Sequence, residues 1–373
     1  MEKERIISIA KAIGIVLVVI GHSDSPIGPV IGLFHMALFV FLSGYFYKDK
    51  YTKEPLKYIR RKIKSIYVPY ILFYIVFIII HNILFELGIY SEVELYSGKS
   101  IVKYNLRGVL IAFAKALAFL GQEPMLGAMW FMCLLFIVSI AFNLISCFCE
   151  KYFYNKEWIR CVIILLIFIM FSVLTKLGVN IPRINNSMTM IFIFYLGYIF
   201  KKLFGSYDKY HKKVENIIPN YILAITCFIL LIVSTLYGGI EVNSNSYLSP
   251  DFFIFNSIIG INLILYLSYI IDKYSNRLSM MMNYIGEMTL WIMALHFISF
   301  KIVELFKILV YQIGVENISK FPVSDGTKGW WVLYTIVGVV MPILIRYLYK
   351  KINFIFRKVK KYESIDAKSS RCI

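Results

Sequence analysis

Charged side chains are scarce in this sequence. They make up 17% of 373 residues, against about 25% in soluble domains. So few cannot clothe a water-facing globule, which excludes an ordinary soluble fold. Acidic residues are scarcest, 22 against 40 Lys and Arg, leaving a net charge of +18. That balance fits either nucleic-acid binding or the basic cytoplasmic loops of a membrane protein. Cysteines number six. None forms a C-x-x-C pair and five lie in or beside apolar runs, which excludes a disulfide framework or cysteine metal site. Cys372, next to last, is not placed for a prenylation box. No metal-binding motif, P-loop, G-x-G-x-x-G or G-x-S-x-G occurs, so hydride and metal chemistry have no anchor. No internal repeat, low-complexity tract, cleavable leader or appended soluble domain is expected.

What is present is apolar length. Hydrophobic residues make up 59% and mean hydropathy is +0.71. The excess falls in blocks of about 17–24 residues, enough to cross roughly 30 Å of hydrocarbon. The aromatic content, 28 Tyr, 30 Phe and 5 Trp, suits interfacial belts. The expected fold is an all-α polytopic membrane bundle of about ten helices with both termini cytoplasmic. Its spans are 6–22, 29–47, 67–87, 128–149, 159–177, 187–204, 218–238, 252–271, 289–312 and 330–349. The block 108–120 is too short to cross and contains Lys115, so an interfacial or re-entrant helix is expected. With the N-terminus inside, and basic residues within four positions of a span end counted with the adjoining side, the cytoplasmic side holds 29 of the 40, the outer side 8 and the spans 3. Counting 108–120 as a span destroys that asymmetry. Residues 1–350 form the membrane domain. Residues 351–373 form a basic cytoplasmic tail, expected to be disordered beyond about residue 362.

Ionisable groups inside a span cost at least about 2.5 kcal/mol each and tend to face a cavity or a partner. The first span carries Lys11 and His22. Eleven residues amount to about 20° of rotation and roughly 16 Å of rise, so the two share a face near opposite ends. On periodicity alone, a snorkelling Lys11 and an interfacial His22 stay open. The outer turn GHSDSPIGP (21–29) brings His35 of the second span near His22, and Asp24 is either a plain solvated loop residue or a carboxylate that orients an imidazole. The ninth span carries His296, Lys301, Glu304 and Lys307, the last three spaced for an internal ion pair. Trp130, Glu123 and Arg183 lie on the outer side, where each alone reads as a solvated or interfacial residue rather than a ligand. The eight basic residues of 48–66 include Arg60, Arg61, Lys62 and Lys64, which positive-inside topology alone accounts for. Histidines, cations and few carboxylates suit general-base or acyl-relay chemistry.

IISIAKAIGIVLVVIGHS followed by FHMALFVFLSGYFY resembles the opening of the acyltransferase-3 family of membrane O-acyltransferases, closest to its fucose-4-O-acetylase-like branch. Lys11 and His22 fall on the family's basic residue eleven positions before an essential histidine. His35, Phe39, Ser43 and Gly44 fall on its second-helix motif. RRKIKSIYVPY, WFMCLLF, YLGYIFKK and IGEMTLWIMALH resemble later segments in order. Lys11 stands where many members have Arg, Ser8 where they have Asp, and Ala37 where they have Pro. A lysine offers only a point charge in place of a bidentate guanidinium.

The resemblance implies O-acetyl transfer from cytoplasmic acetyl-CoA to a hydroxyl of an extracytoplasmic or lipid-linked carbohydrate. His22 would be the base or acyl carrier, with Lys11 and Asp24 assisting. His35, Trp130, Glu123, Arg183 and His296 would serve the acceptor, and Arg60, Arg61, Lys62 and Lys64 the donor. No metal and no nucleic-acid partner are expected. The expected location is the plasma membrane, a bacterial inner membrane. Some members carry a hydrolase-like extracytoplasmic domain; without one, the chain is expected to act on its acceptor itself or pass acyl groups to a partner. The rival class is a transporter or flippase, which uses intramembrane charge equally well. It predicts repeated, Gly/Pro-broken helices, and neither is clear in this sequence.

Overall fold

All ten stretches read as spans are helical in the computed structural model, which describes residues 5–96, 99–154 and 156–369. The chain opens with α1 (Arg5–Gly21), α2 (Gly28–Gly32) and α3 (His35–Tyr45). The basic loop contains α4 (Lys50–Lys53) and α5 (Pro55–Lys62), and a π-helical turn, Ile63–Tyr67, joins it to α6 (Val68–Glu86). A short hairpin of β1 (Leu95–Tyr96) and β2 (Lys99–Ser100) precedes α7 (Leu106–Leu117). Then come α8 (Trp130–Phe153), α9 (Glu157–Lys176), α10 (Ile184–Thr189) and α11 (Ile191–Phe204). α12 (Tyr207–Glu215) meets α13 (Asn220–Ser234) at a 98° bend. A second hairpin, β3 (Ile240–Glu241) with β4 (Ser246–Tyr247), leads to α14 (Pro250–Tyr274). The chain ends with α15 (Asn276–Glu287), α16 (Thr289–Tyr311) and α17 (Trp330–Ser369).

By length and apolarity alone, seven described helices qualify to cross a membrane, or eight if the bent pair is one span. The difference from ten has physical causes. α1 has only 17 described residues, α13 only 15, and α16 carries three charges. The outside of the bundle is apolar: Leu72, Ile79 and Ile83 of α6, Leu166 and Ile169 of α9, and Phe228 and Ile229 of α13 are all exposed. Soluble monomers rarely leave such surfaces bare; here they are the faces that lipid covers.

In lipid, apolar side chains gain little by leaving their solvent for each other, so helices associate by close packing of small residues. α3 and α11 do so reciprocally. A Cβ on Gly44 would collide with the Phe194 carbonyl, and one on Gly197 with the Phe41 carbonyl. α1 is central and packs against α3, α14, α15, α16 and α17. The α2–α3 stretch is 61% buried, whereas α9 and α17 are 22% buried and peripheral. Active chemistry near α1 is therefore chemistry inside the bundle.

Two expectations change, and the one for 108–120 narrows to one of its two alternatives. The span 29–47 is broken at Leu33–Phe34, where the Phe34 ring packs onto Gly260. Segment 108–120 lies along α6: Asn82 pairs with the backbone of Tyr104, and the Tyr67 hydroxyl donates to the Leu117 carbonyl. Those contacts lie fifteen residues apart along the π-helical turn and α6, about 22 Å, so α7 runs antiparallel to a spanning helix as a re-entrant element does. The tail expected to be disordered past residue 362 continues α17 to Ser369. It holds no Gly or Pro after Pro342 and is rich in Lys, a good helix former.

Candidate active site

A cavity of about 570 Å³ follows α1 through the bundle. At the basic end it is lined by Lys11, Ser43, Ser65, Gly286 and Glu287; at the far end by His22, Gly28, His35 and Ile240–Val242. Trp130, Phe131, Phe39 and Met36 line its wall. The face shared by Lys11, Ile15, Val18 and His22 lines it throughout, as the helical period requires. A second, open groove of about 850 Å³ is lined by Lys53, Lys57, Arg60, Arg61 and Lys64. Ser65 belongs to both. The π-helical turn contributes Ser65 and Ile66 to the cavity wall, a deviation often found at functional sites.

His22 follows the last turn of α1, its backbone N–H still bonded to Val18 O and Val19 O. Its Nδ1 lies 3.0 Å from Nε2 of His296 on α16, with the rings stacked at 5.2 Å and 11°. His296 is fully buried and its Nδ1 donates to the Ile292 carbonyl at 2.9 Å. Phe297 tilts against both rings. His35 donates from Nδ1 to the Ile31 carbonyl at 2.8 Å across the α2–α3 break. Lys11 holds its ammonium 4.5 Å from the Phe46 ring centroid, a cation–π distance.

Five sequence-derived placements need correction. His296 does not line the acceptor cavity; it is fully buried behind His22. Asp24 does not orient His22: its Oδ2 accepts the Gly326 N–H at 3.0 Å, and the turn bends it to φ 56°. Glu123 does not line the cavity. It is 1% exposed, accepts from Tyr104 at 2.9 Å and Tyr90 at 3.3 Å, and faces His81 Nδ1 at 3.0 Å. The re-entrant return carries it back to the far end of α6, away from the cavity. Arg183 likewise lies outside the lining, donating to Asn243 Oδ1 at 2.8 Å. It thereby holds the β3–β4 hairpin whose first strand closes the cavity. Lys62 turns from the groove and sets its ammonium 5.3 Å from the Tyr58 ring centroid.

The α16 charges also differ from the expected ion pair. Glu304 accepts from Ser324 N, Ser324 Oγ and the Tyr334 hydroxyl. Lys307 donates to Ser324 Oγ, the Asp325 carbonyl and Tyr334, and Lys301 to the carbonyls of Lys320 and Pro322. The loop between α16 and α17 supplies the partners, which satisfies three buried charges and fixes that loop beside Asp24. In the same loop, at its solvent edge, hydrogen bonds from the Thr327 N–H and hydroxyl hold the Asp325 carboxyl below its usual range.

Sequence reasoning missed Glu287, Glu241 and Ser65 as lining residues. Glu287 lies within the IGEMTLWIMALH segment and had a signal; Glu241 in an exposed loop had none. The pairing of His22 with His296, 274 positions apart, also had none. Among the described residues no three His, Cys, Asp or Glu side chains converge as a metal site, and the five described cysteines are free.

The acyltransferase domain model of the acyltransferase-3 family matches residues 5–350. No curated protein and no solved structure gives a match. A match over nearly the whole chain, on a polytopic bundle with a histidine-lined internal cavity, means that this protein belongs to the acyltransferase-3 family and is a multi-pass membrane acyltransferase.

Proposed function

We propose that the protein moves an acetyl group from cytoplasmic acetyl-CoA to a hydroxyl of a carbohydrate, extracytoplasmic or lipid-linked, with His22 as general base. The observation that carries this reading is that the basic groove and the histidine-ended cavity are adjacent and share Ser65 in their walls. The groove suits the phosphates of coenzyme A, with Arg60, Arg61 and Lys64 as charge-assisted donors. The pantetheine arm, long and only weakly polar, suits the narrow apolar cavity beyond. Lys11, at the basic end, offers the arm a point charge as it enters, and the thioester end reaches on to His22. The basic end of the bundle is then the cytoplasmic one, as its charge excess requires, and the membrane is the plasma membrane of a bacterium.

His22 Nδ1 is engaged by His296, which leaves Nε2 for the substrate. The step balances simply. Nε2 takes the proton of the acceptor hydroxyl while its oxygen bonds to the thioester carbonyl carbon. The C–S bond breaks, and His22 returns the proton to the departing thiolate. Base catalysis of this kind is worth about 10²–10⁴-fold. His35 bonds its own backbone through Nδ1, and its other nitrogen suits a second acceptor hydroxyl. Trp130 offers an aromatic face and Glu241 a carboxylate at the far mouth, a pairing suited to a sugar with both apolar and hydroxylated faces. Acetyl as the acyl group and a sugar as the acceptor follow from the resemblance of residues 5–47 to the fucose-4-O-acetylase-like branch.

The test compares ester-linked acetate on the surface glycans of wild-type, deletion and His22→Ala strains. Acetate should be lost in both altered strains, with the His22→Ala protein still in the membrane. Normal acetate in the His22→Ala strain would sink the catalytic proposal.

A further inference from the structure

We infer that His296 is a positioning residue that fixes the tautomer of His22, holding the proton on Nδ1 and leaving the lone pair on Nε2. This rests on the reading of His22 as the base and says what makes it one. The chain of donors runs in one direction. The Ile292 carbonyl can only accept, so the 2.9 Å contact requires a proton on His296 Nδ1. In neutral His296, Nε2 then carries a lone pair. That nitrogen lies 3.0 Å from His22 Nδ1, so His22 Nδ1 must donate. Nε2 of His22, on a residue that lines the cavity, is left bare. The opposite arrangement, with a second proton on His296, would make His22 Nδ1 accept and put the His22 proton on Nε2. The base would then have nothing with which to take a proton.

The surroundings favour the neutral relay. The other ring neighbours of His296 are Phe297 and Phe300, centroids at 4.1 and 5.6 Å, and the residue is fully buried. A second proton would put a charge there among apolar rings, and burying an unpaired charge is costly. The anchor is also rigid. Ile292 is one turn before His296 on α16, so the helix itself sets the ring. In a serine-protease triad an aspartate does this work, and the wrong tautomer costs about 10⁴-fold. Here Asp24, the aspartate nearest to His22 in sequence, is committed to Gly326. A second imidazole takes its place. When His22 becomes imidazolium during the step, its Nδ1–H still points at a lone pair, so the charge is met by a hydrogen bond.

The test uses the full-length protein in detergent or nanodiscs with acetyl-CoA as donor. His296→Phe keeps a ring among phenylalanines but removes the acceptor; His296→Gln keeps one acceptor and one donor function on a planar amide. Expected are a kcat loss of about 10²–10⁴-fold in His296→Phe with donor KM unmoved, and partial rescue in His296→Gln. ¹⁵N spectra of histidine-labelled protein, with the His22 signal assigned by its absence from His22→Gln, should show Nδ1 protonated and Nε2 bare. They should show that preference lost in His296→Phe. Bare Nδ1 on His22 in the wild type would overturn the inference. So would full activity of His296→Phe while His22→Ala is dead, which would leave the base reading standing. Activity in His22→Ala would remove the base reading itself, and the inference with it.

Discussion

His81 and Glu123 meet at 3.0 Å, each about 1% exposed, and tie the re-entrant segment to α6. The imidazole stacks on Tyr104 at 3.6 Å, and both its nitrogens face acceptors, Glu123 and the Val102 carbonyl. Burial, with the Glu123 carboxylate next in size, raises the phenol of Tyr104, which lies in the loop before α7. The same two causes raise that of Tyr90. Glu123→Ala would strip the acceptor from all three rings. The expected loss is on the order of 3 kcal/mol, read as a lower unfolding temperature in detergent, with activity per folded molecule little changed. A stable variant with a raised acceptor KM would instead return Glu123 to the acceptor site.

Gly44 and Gly197 set the crossing of α3 and α11, because a methyl on either would meet a backbone carbonyl that cannot turn aside. Gly197→Ala should therefore cost about 1–3 kcal/mol by overpacking. α3 carries His35 and Ser43 on the cavity wall, so acyl transfer should fall as well. The check is a paired measurement of unfolding temperature and rate against Gly239→Ala, where a Cβ meets open space.

The all-α membrane bundle was legible because bilayer thickness fixes the length of an apolar run, and a single chain shows run length directly, although among the described residues only seven or eight of the ten stretches reach that length as apolar helices. The stripe from Lys11 to His22 was legible for a similar reason: both lie on one helix, where spacing alone gives the face. What joins distant helices was not. Asp24 looked like the partner of His22 because it is two residues away, yet the short turn aims it at Gly326, 302 positions on. His296 looked like an acceptor residue because nothing in α16 shows that its ring meets α1. Glu123 looked exposed because a re-entrant return leaves no periodic trace in the sequence. The predicted Lys301–Glu304–Lys307 pairing failed because helical spacing cannot anticipate a loop that satisfies all three charges.

Arg60, Arg61 and Lys64 line the open groove and touch the cavity only through Ser65. Changing all three to Gln should raise the donor KM by roughly tenfold or more, each 1.4 kcal/mol being tenfold, while kcat holds. Added salt should weaken donor binding in the wild type and much less in the variant, since exposed charges are screened within about 10 Å at 0.1 M. Equal salt sensitivity in both proteins would place the donor elsewhere.

Ile240 to Val242 close the cavity at the end opposite Lys11. If the basic end faces the cytoplasm, a reporter inserted after Gly239 should read as extracytoplasmic. A cytoplasmic signal from that site would invert the bundle and put the basic groove on the wrong side for coenzyme A.

Asp24 supplies the sharpest contrast with His296. An aspartate that orients a catalytic imidazole cannot be replaced by asparagine without a loss of about 10⁴-fold, because the amide favours the wrong tautomer. An aspartate that caps a loop can be, because the amide oxygen still accepts the Gly326 N–H. Asp24→Asn should therefore keep near wild-type acyl transfer. Asp24→Leu should lose stability by about 1–2 kcal/mol, the cost of an unpaired donor, as Gly326 presses on Ser23 without its anchor. A collapse of kcat in Asp24→Asn, with unfolding temperature unchanged, would reinstate the carboxylate as the orienting group and displace His296 from that role.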